Sequence, residues 1–334
     1  MEKSKKEQFF EECNLCPRNC RANRLKMGKG ICGVGQEIKV ARAALHFWEE
    51  PCISGTRGSG AVFFSGCSLH CVFCQNEAIA RGDAGKEIPR ERLVEIFLEL
   101  QEKGANNINL VTAGHYLPHI IWAVERARDQ GLYLPIVYNT SSYEKVDSIR
   151  RLEGIVDVYL PDLKYFDSRL AERYSHAPDY PQVAMAAIRE MVRQQPKATF
   201  MKEDKIPLLK EFQCHQDTVT QAKNFWSQEA EEGYIMTQGV IVRQLLLPGL
   251  LEDAKKIVSY LYQTYGDQIY LSLMSQFTPL PHVERYPELN RKVTRQEYDS
   301  YVDFAIDLGV EQGFIQEEDV AEESFIPDFD CEGV

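Results

Sequence analysis

Short apolar runs alternate with helix-length amphipathic stretches along most of the chain. Six of the runs are rich in apolar and β-branched residues and are closed by Gly, Pro or Asn, a pattern typical of strands buried on both faces. These predicted strands are Ala61–Gly66, Asn107–Thr112, Leu134–Asn139, Val156–Pro161, Gly239–Leu247 and Gln268–Met274.

Five other stretches predict helices. In the first, Pro89–Lys103, proline stands at the helix start and apolar residues recur at spacings of three and four. The others are Pro118–Gln130, Glu144–Leu152, Pro181–Gln194 and Leu251–Tyr265. Strands that alternate with helices in this way predict an α/β fold of parallel βαβ units, either an open sheet or a full or partial barrel.

One interval breaks the alternation, because residues 165–238 are too many for a single crossover helix. We expect an inserted subdomain or lid at about Gln195–Gln238. The chain is then predicted to comprise three regions: a cysteine-rich metal- or cluster-binding start, a barrel, and a C-terminal helical segment with an acidic tail. Their expected bounds are 1–55, 56–285 and 286–334.

Each predicted strand is followed directly by an unusual polar segment. In parallel α/β architectures the carboxyl ends of the strands meet at one edge, where ligands bind and chemistry takes place. We therefore expect these segments to form one site. In chain order they are GCSLHCVFC, TAGHY, NTSSYE, PDLKYF, PG and SQFTP.

The charge balance limits the possible partners. The chain of 334 residues has 38 Lys and Arg against 50 Asp and Glu, a net charge of −12. Nonspecific nucleic-acid binding depends on basic residues that neutralise phosphates, so we expect no nucleic-acid partner. No apolar run approaches the length of a membrane span, and the charged start has no apolar signal segment, so we expect no membrane association.

The cysteines are unevenly distributed. Eight of the ten lie within the first 74 residues. The absence of a signal segment favours a cytoplasmic protein, and thiols stay reduced in the cytoplasm. Clustered cysteines there more often bind metals than form disulfides.

Three of these cysteines share one loop directly after the first predicted strand. Cys67, Cys71 and Cys74 have the spacing C-x3-C-x2-C. Zinc in a closed site takes four ligands, whereas three thiolates suit a [4Fe–4S] cluster with one iron left open. An open iron can bind a small molecule and pass an electron to it.

The segment CSLHCVFC, with an aromatic residue before its last cysteine, resembles the signature of the radical S-adenosylmethionine superfamily. The resemblance extends over roughly residues 60–280 and implies a partial (β/α)6 TIM-type barrel with a cysteine-rich N-terminal extension. Taken whole, the chain resembles an uncharacterised branch akin to pyruvate formate-lyase activating enzyme. This resemblance implies a radical S-adenosylmethionine oxidoreductase. Its cluster would cleave the cofactor to methionine and a 5′-deoxyadenosyl radical that abstracts hydrogen from a substrate.

The resemblance also implies roles for particular residues. Cys67, Cys71 and Cys74 would bind the cluster, and Phe73 would lie beside the adenine. The segment TAGHY stands where the superfamily often has Gly-Gly-Glu, which receives the cofactor's ammonium group. Here that Glu is absent and a His is present. The cofactor-binding residues implied are Phe73, Ala113, Gly114, His115, Asn139, Ser141, Asp162, Lys164, Arg243 and Gln276.

Several of these assignments have alternatives. Asp162 and Lys164 would contact the cofactor and hold a monovalent cation near its carboxylate, or they would form a local ion pair. His115 would bind the cofactor or bond its own loop. Arg243 lies inside an apolar run and needs an anionic partner, which the resemblance supplies in the cofactor carboxylate or ribose. No catalytic residue is assigned.

Four further cysteines lie within 20 residues near the chain start, at Cys13, Cys16, Cys20 and Cys32. Fully ligated, this group would hold an auxiliary [4Fe–4S] cluster that relays electrons, or a structural zinc ion. The compact C-x2-C-x3-C run resembles cluster-binding runs. Cys52 has no assigned role, and Cys214 beside His215 is either a substrate or redox residue or a simple buried thiol.

The sequence is thus compatible with two functions from different classes. The first is the radical enzyme, served by an external reductant such as flavodoxin or ferredoxin. Its hydrogen donor would be a glycine in a partner protein, as in glycyl radical activation, or a peptide or small molecule. The second is a nonenzymatic iron–sulfur or zinc protein that carries electrons or senses redox state.

Overall fold

The computed structural model describes residues 9–26, 28–206, 233–316 and 327–334. Its strands are β1 (Ile38–His46), β2 (Ser59–Phe64), β3 (Lys86–Ile88), β4 (Ile108–Val111), β5 (Ile136–Thr140), β6 (Val158–Pro161), β7 (Thr199–Lys202), β8 (Tyr234–Leu245), β9 (Tyr270–Met274) and β10 (Gly313–Ile315). Its α-helices are α1 (Pro51–Ser54), α2 (Glu77–Ala80), α3 (Arg90–Glu102), α4 (Leu117–Asp129), α5 (Val146–Arg150), α6 (Ser168–Ser175), α7 (Tyr180–Gln194), α8 (Leu251–Tyr265) and α9 (Arg295–Asp307).

One sheet organises the molecule, with the strand order β10-β9-β8-β6-β5-β4-β2-β1-β3. The strands from β2 to β10 along this path are parallel. Strands β1 and β3 extend the edge beyond β2 in antiparallel pairs, and β7 pairs antiparallel with β8. Among the described strands, the two ends of this path do not pair with each other. The protein is therefore an α/β fold with the open sheet of a partial barrel.

The six strands predicted from apolar runs are confirmed, and so are the five predicted helices. Strand β8 begins earlier than the apolar run suggested, because its first residues pair with β7 instead of with the parallel sheet. The predicted insertion at about Gln195–Gln238 falls partly on residues 207–232, which lie outside the described residues. The three domain bounds remain predictions.

Two apolar clusters cover the two faces of the sheet. Successive strand residues point to opposite faces, so Ile136 and Tyr138 pack towards the helices while Val137 packs inside the curved sheet. The inner cluster also includes Cys52 and Ile53 of α1, which enter from the amino-terminal end of the strands. Apolar side chains thus fill the interior at the amino-terminal ends of the strands. The polar groups lie at the carboxyl ends.

The residues around the first four cysteines fold against this face. Apart from a helical turn at 9–11, residues 9–35 form turns and irregular structure. A small apolar cluster of Phe10, Cys13 and Leu15 supports them. Within the described residues, no helix is long and apolar enough to cross a membrane.

Candidate functional site

The loop after β2 carries Cys67, Cys71 and Cys74 at the carboxyl end of the parallel strands. Burial raises the pKa of the Cys71 thiol to about 11. The pKa of Cys74 is also raised, first by burial and then by the charges of Cys71 and Cys67. The Cys71 sulfur accepts a hydrogen bond from the Ser175 hydroxyl at 3.0 Å, and the Cys67 sulfur accepts one from the Leu69 amide at 3.4 Å.

This donor set fits an iron–sulfur cluster. Thiolate is the form that binds iron, and a buried thiol with a raised pKa becomes a stable thiolate only when a cation compensates its charge. Hydrogen bonds to the sulfurs are among the features that tune such clusters. Within the described residues, no three or more His, Cys, Asp or Glu side chains are placed to hold a single metal ion. The ligands of a cubane bind separate irons, so they need not converge on one point.

A charged network lies inside the strand ends, centred on Arg243 of β8. Its Nε donates to Asp162 Oδ1 at 2.9 Å, Nη1 to Glu49 Oε2 at 3.0 Å and Nη2 to Asn139 Oδ1 at 2.6 Å. All three guanidinium nitrogens thus have acceptors within the protein. Arg243 finds its anionic partners in two carboxylates of the chain itself, and a contact with the cofactor remains a prediction.

Asp162 and Lys164 form the ion pair that their spacing allowed, with Lys164 Nζ 2.6 Å from Asp162 Oδ2. Burial alone would raise the pKa of Asp162, but the charges of Lys164 and Arg243 outweigh it and hold that pKa below its usual value. Burial opposes the charge of Lys164, yet Asp162 and the nearby Cys71 thiol raise its pKa. Both groups are therefore ionised, and the lysine charge faces the cysteine loop.

The structure places a carboxylate beside the TAGHY segment, in which the sequence has no Glu. Glu144, from the loop after β5, lies so close to Gly114 that a Cβ there would stand 2.4 Å from Glu144 Oε1. The hydroxyls of Tyr138 and Thr140 donate to this carboxylate at 3.1 Å and 3.0 Å. Burial raises the pKa of Glu144 to about 7.

His115 bonds to the end of β2 and not to its own loop. Its Nε2 lies 2.8 Å from the Ser65 carbonyl oxygen, to which it donates. Burial, and next the charge of Arg24, lower the pKa of this imidazole to about 3. His115 is therefore a neutral hydrogen-bond donor that ties the β4 loop to the strand before the cysteine loop.

The remaining predicted residues line the same face. Phe73 is buried in an aromatic cluster, with ring centroids 6.4 Å from Tyr165 and 6.3 Å from Phe277. The carbonyl of Ser141 lies 2.9 Å from the Tyr180 hydroxyl. The carbonyl of Gln276 accepts from the Gln75 side chain at 2.7 Å, which joins the end of β9 to the cysteine loop.

The four N-terminal thiols lie together. A Cβ on Gly30 would stand 3.1 Å from Cys32 Sγ and 3.5 Å from Cys20 Sγ. Burial raises the pKa of Cys16 to about 12, and the charges of Glu144, Cys32 and Cys13 add to the shift. Each of the four thiols is thus close enough to others of the group to affect a neighbour's ionisation.

The N-terminal region contacts the cysteine loop directly. The Cys67 amide donates to the Cys32 carbonyl at 3.2 Å. Arg18 Nε donates to the Ser68 carbonyl at 2.8 Å, and Arg18 Nη2 donates to the Ser175 carbonyl at 3.0 Å. The two cysteine groups, separate in sequence, therefore belong to one continuous surface.

Sequence reasoning missed several residues of this surface. Glu49 lies in the loop after β1, outside every strand-end motif, and only the fold brings it to Arg243. Glu144 is the last residue of NTSSYE, so its position after a predicted strand was the available signal. Ser175 had no signal. Cys52 is buried in the inner cluster, and Cys214 lies outside the described residues.

Residues 61–202 match the family model of the Radical SAM superfamily. That stretch, which is somewhat less than half of the chain, is a radical SAM domain. A radical SAM domain implies a [4Fe–4S] cluster and S-adenosylmethionine as cofactors.

Three known proteins are similar to this chain. The uncharacterized protein MJ0674 of Methanocaldococcus jannaschii is 24% identical over 304 residues, which cover 89% of this chain and 75% of that one. Streptococcus suis SuiB, in a crystal structure with the precursor peptide SuiA, has a TM-score of 0.44 and 11% identity over 75% of this chain and 46% of SuiB. A domain of pyruvate-formate lyase-activating enzyme from Bacteroides vulgatus has a TM-score of 0.39 and 13% identity over 64% of this chain and 100% of the domain. This chain therefore spans less than half of the length of SuiB.

Proposed function

We propose that the protein is an enzyme that reductively cleaves S-adenosylmethionine to start radical chemistry on a second molecule. One observation carries the proposal: the three thiols of the C-x3-C-x2-C loop lie at the carboxyl end of the parallel strands, beside an ammonium group, carboxylates and a guanidinium group. The [4Fe–4S] cluster held there would supply one electron to the sulfonium of the cofactor. The chain's own residues would bind and orient that cofactor.

The polar groups suggest how the cofactor is oriented. Backbone groups of Ala113, Gly114 and His115 would receive its ammonium end, with the Glu144 carboxylate behind Gly114. The Asp162–Lys164 pair and Arg243 would face its carboxylate and ribose. Asn139 and Ser141 would add contacts, and a monovalent cation would lie beside Asp162. Phe73 and Gln276 would border the adenosine.

The hydrogen donor is proposed only as a class, either a glycine of a partner protein or a peptide or small molecule. The four N-terminal cysteines would hold an auxiliary [4Fe–4S] cluster or zinc. A low-potential protein such as flavodoxin or ferredoxin would deliver electrons. We place the protein in the cytoplasm, where thiols stay reduced.

The proposal is tested on protein reconstituted anaerobically with iron and sulfide. We expect about four irons if only the loop holds a cluster and about eight if both groups do. With dithionite and S-adenosylmethionine, this protein should release 5′-deoxyadenosine. A full iron complement without that product would contradict the enzyme and favour the nonenzymatic electron carrier.

A matched pair of cysteine variants gives the control. Cys71→Ala removes a loop ligand and should abolish 5′-deoxyadenosine release. Cys331→Ala removes a thiol that belongs to neither cysteine group, and its release should equal that of the unaltered protein. Deuterium from a labelled substrate that appears in the deoxyadenosine would then identify the hydrogen donor.

A further inference from the structure

The two cysteine groups are joined by a backbone hydrogen bond between two of their own members. Cys32 closes the N-terminal group, and its carbonyl accepts from the amide of Cys67, the first cysteine of the loop, at 3.2 Å. The sulfur of Cys32 and the sulfur of Cys67 are therefore linked by a few covalent bonds and one hydrogen bond.

Several neighbouring contacts hold this connection in place. Gly66, with φ of +95°, leaves room for the Cys32 carbonyl, because a Cβ there would stand 2.7 Å from that oxygen. His70 Nε2 lies 2.8 Å from the Ile31 carbonyl. Arg18 Nε donates a hydrogen bond to the Ser68 carbonyl at 2.8 Å. The chain is thus fixed on both sides of each cysteine.

A buried cation lies against the N-terminal group. Arg24 is only 1% exposed, and its Nη1 lies 3.8 Å from Cys13 Sγ. Its other hydrogen bonds go to the backbone carbonyls of Gly35 and His115, and its guanidinium lies over the rings of Phe10 and Tyr116. No carboxylate in the described part of the chain forms an ion pair with it. A buried guanidinium needs a counter-charge. Thiolates bound to a metal centre would provide it.

We propose that the Cys32–Cys67 hydrogen bond is the route by which one electron passes from a [4Fe–4S] cluster on the N-terminal cysteines to the cysteine loop. The inference rests on the proposed function only in assigning a cluster to Cys67, Cys71 and Cys74. In the step, the N-terminal cluster is oxidised by one electron and the loop cluster is reduced by one, with no proton or bond exchanged. A low-potential one-electron donor of the flavodoxin or ferredoxin class re-reduces the N-terminal cluster. Zinc cannot serve, because it has no redox chemistry.

The test uses full-length reconstituted protein given less than one electron per molecule by flash photoreduction with deazaflavin. Visible absorption and rapid-freeze electron paramagnetic resonance (EPR) then follow the electron. We expect about eight irons per chain and an electron transfer phase whose rate is independent of protein concentration. S-adenosylmethionine distinguishes the clusters, because only the loop cluster should change its EPR spectrum when the cofactor is added.

Two glycine variants isolate the hydrogen bond. Gly66→Ala pushes a methyl group against the Cys32 carbonyl, whereas Gly131→Ala adds one where nothing lies within 4 Å. Both glycines have strongly positive φ, +95° and +100°, so both variants carry similar backbone strain. The transfer phase should be lost in Gly66→Ala and kept in Gly131→Ala.

Three other results would contradict electron transfer through the Cys32–Cys67 hydrogen bond and leave the proposed function standing. These are zinc with about four irons in the unaltered protein, the absence of the transfer phase, and equal transfer rates in the two glycine variants. If Gly66→Ala does not fold, Cys20→Ala still decides: without the N-terminal cluster the transfer phase must disappear, while the loop cluster keeps its EPR response to S-adenosylmethionine. Loss of the proposed function would appear differently, as no spectral change and no 5′-deoxyadenosine with S-adenosylmethionine.

Discussion

At the scale of single residues, the pKa of each carboxyl group at the strand ends is set by the groups that surround it. Asp162 has two cationic partners, Lys164 and Arg243, and its pKa is lowered. Glu144 accepts bonds only from hydroxyl groups, and burial raises its pKa to about 7. Two carboxyls on the same face therefore differ in charge at neutral pH because their neighbours differ.

The buried Glu144 makes stability depend on pH. Its pKa in the folded protein lies above the ordinary value of 4.5, so its contribution to stability is present below that value and is lost as pH rises through about 7. Glu144→Gln keeps an oxygen that can accept from Tyr138 and Thr140 and removes the cost of ionisation. Relative to the unaltered protein, the variant should gain about 2 kcal/mol in free energy of unfolding between pH 5 and pH 8.

Thermal unfolding of both proteins across this pH range measures the gain. The exposed carboxyl of Glu102 provides a matched control, since Glu102→Gln should show no comparable gain. A pH-independent difference between Glu144→Gln and the unaltered protein would show that the Glu144 carboxyl does not titrate in this window.

At the scale of elements, one side chain of helix α7 forms hydrogen bonds with the ends of two strands. The hydroxyl of Tyr180, at its first turn, lies 2.9 Å from the Ser141 carbonyl after β5 and 3.0 Å from the Asp162 carbonyl after β6. It also accepts from the Lys164 amide at 2.9 Å. The strand-end segments are thus aligned by a helix that follows both in sequence.

Tyr180→Phe removes the hydroxyl and leaves these buried backbone groups without that partner. We expect a loss of about 1–3 kcal/mol in the free energy of unfolding, measured by denaturant titration. Tyr301→Phe is the matched control, because Tyr301 is fully buried and its hydroxyl has no hydrogen-bond partner among the described residues. That variant should be neutral or slightly stabilised, and equal losses in both would assign the effect to packing alone.

At the scale of the whole molecule, the N-terminal region and the partial barrel share one face, and metal binding should stabilise them together. The Cys32–Cys67 and Arg18–Ser68 contacts join the two regions. Ligands that bind only the folded state add their binding free energy to its stability. The structure around both cysteine groups is therefore expected to depend on the metal.

Removal of iron with a chelator should accordingly expose both regions to hydrogen exchange at once. We expect amides of residues 28–35 and 66–76 to lose protection together. The metal orders both loops, and the contacts between the loops make the order of one depend on the order of the other. Amides of helix α8, whose Ile257, Val258 and Leu261 pack in the main apolar cluster, should keep their protection. Loss in one region alone would show that the two cysteine groups are not structurally coupled.

Much of the fold was predictable because it depends on local signals. The six parallel strands follow from continuous apolar runs, and the helices from their spacing of apolar residues. Strands β1, β3, β7 and β10 were missed. Strands β3, β7 and β10 have only three or four residues each, and short strands carry weak patterns and gain stability from their neighbours. The apolar residues of β1 are interrupted by Lys39 and Arg42. The cysteine loop was recognisable because its spacing is a local property. Glu49 was not, because nothing near it in sequence indicates that α1 brings it to Arg243.

The sequence by itself determined the order of the six predicted strands and five predicted helices, the placement of polar motifs at strand ends and the division of cysteines into groups of four and three. These depend on periodicity and spacing, which are properties of short segments. Only the tertiary structure decided that Arg243 is neutralised by Glu49 and Asp162, that Glu144 lies behind Gly114 and that Cys32 touches Cys67. Contacts of this kind depend on how distant segments pack against one another, and no local pattern records that packing.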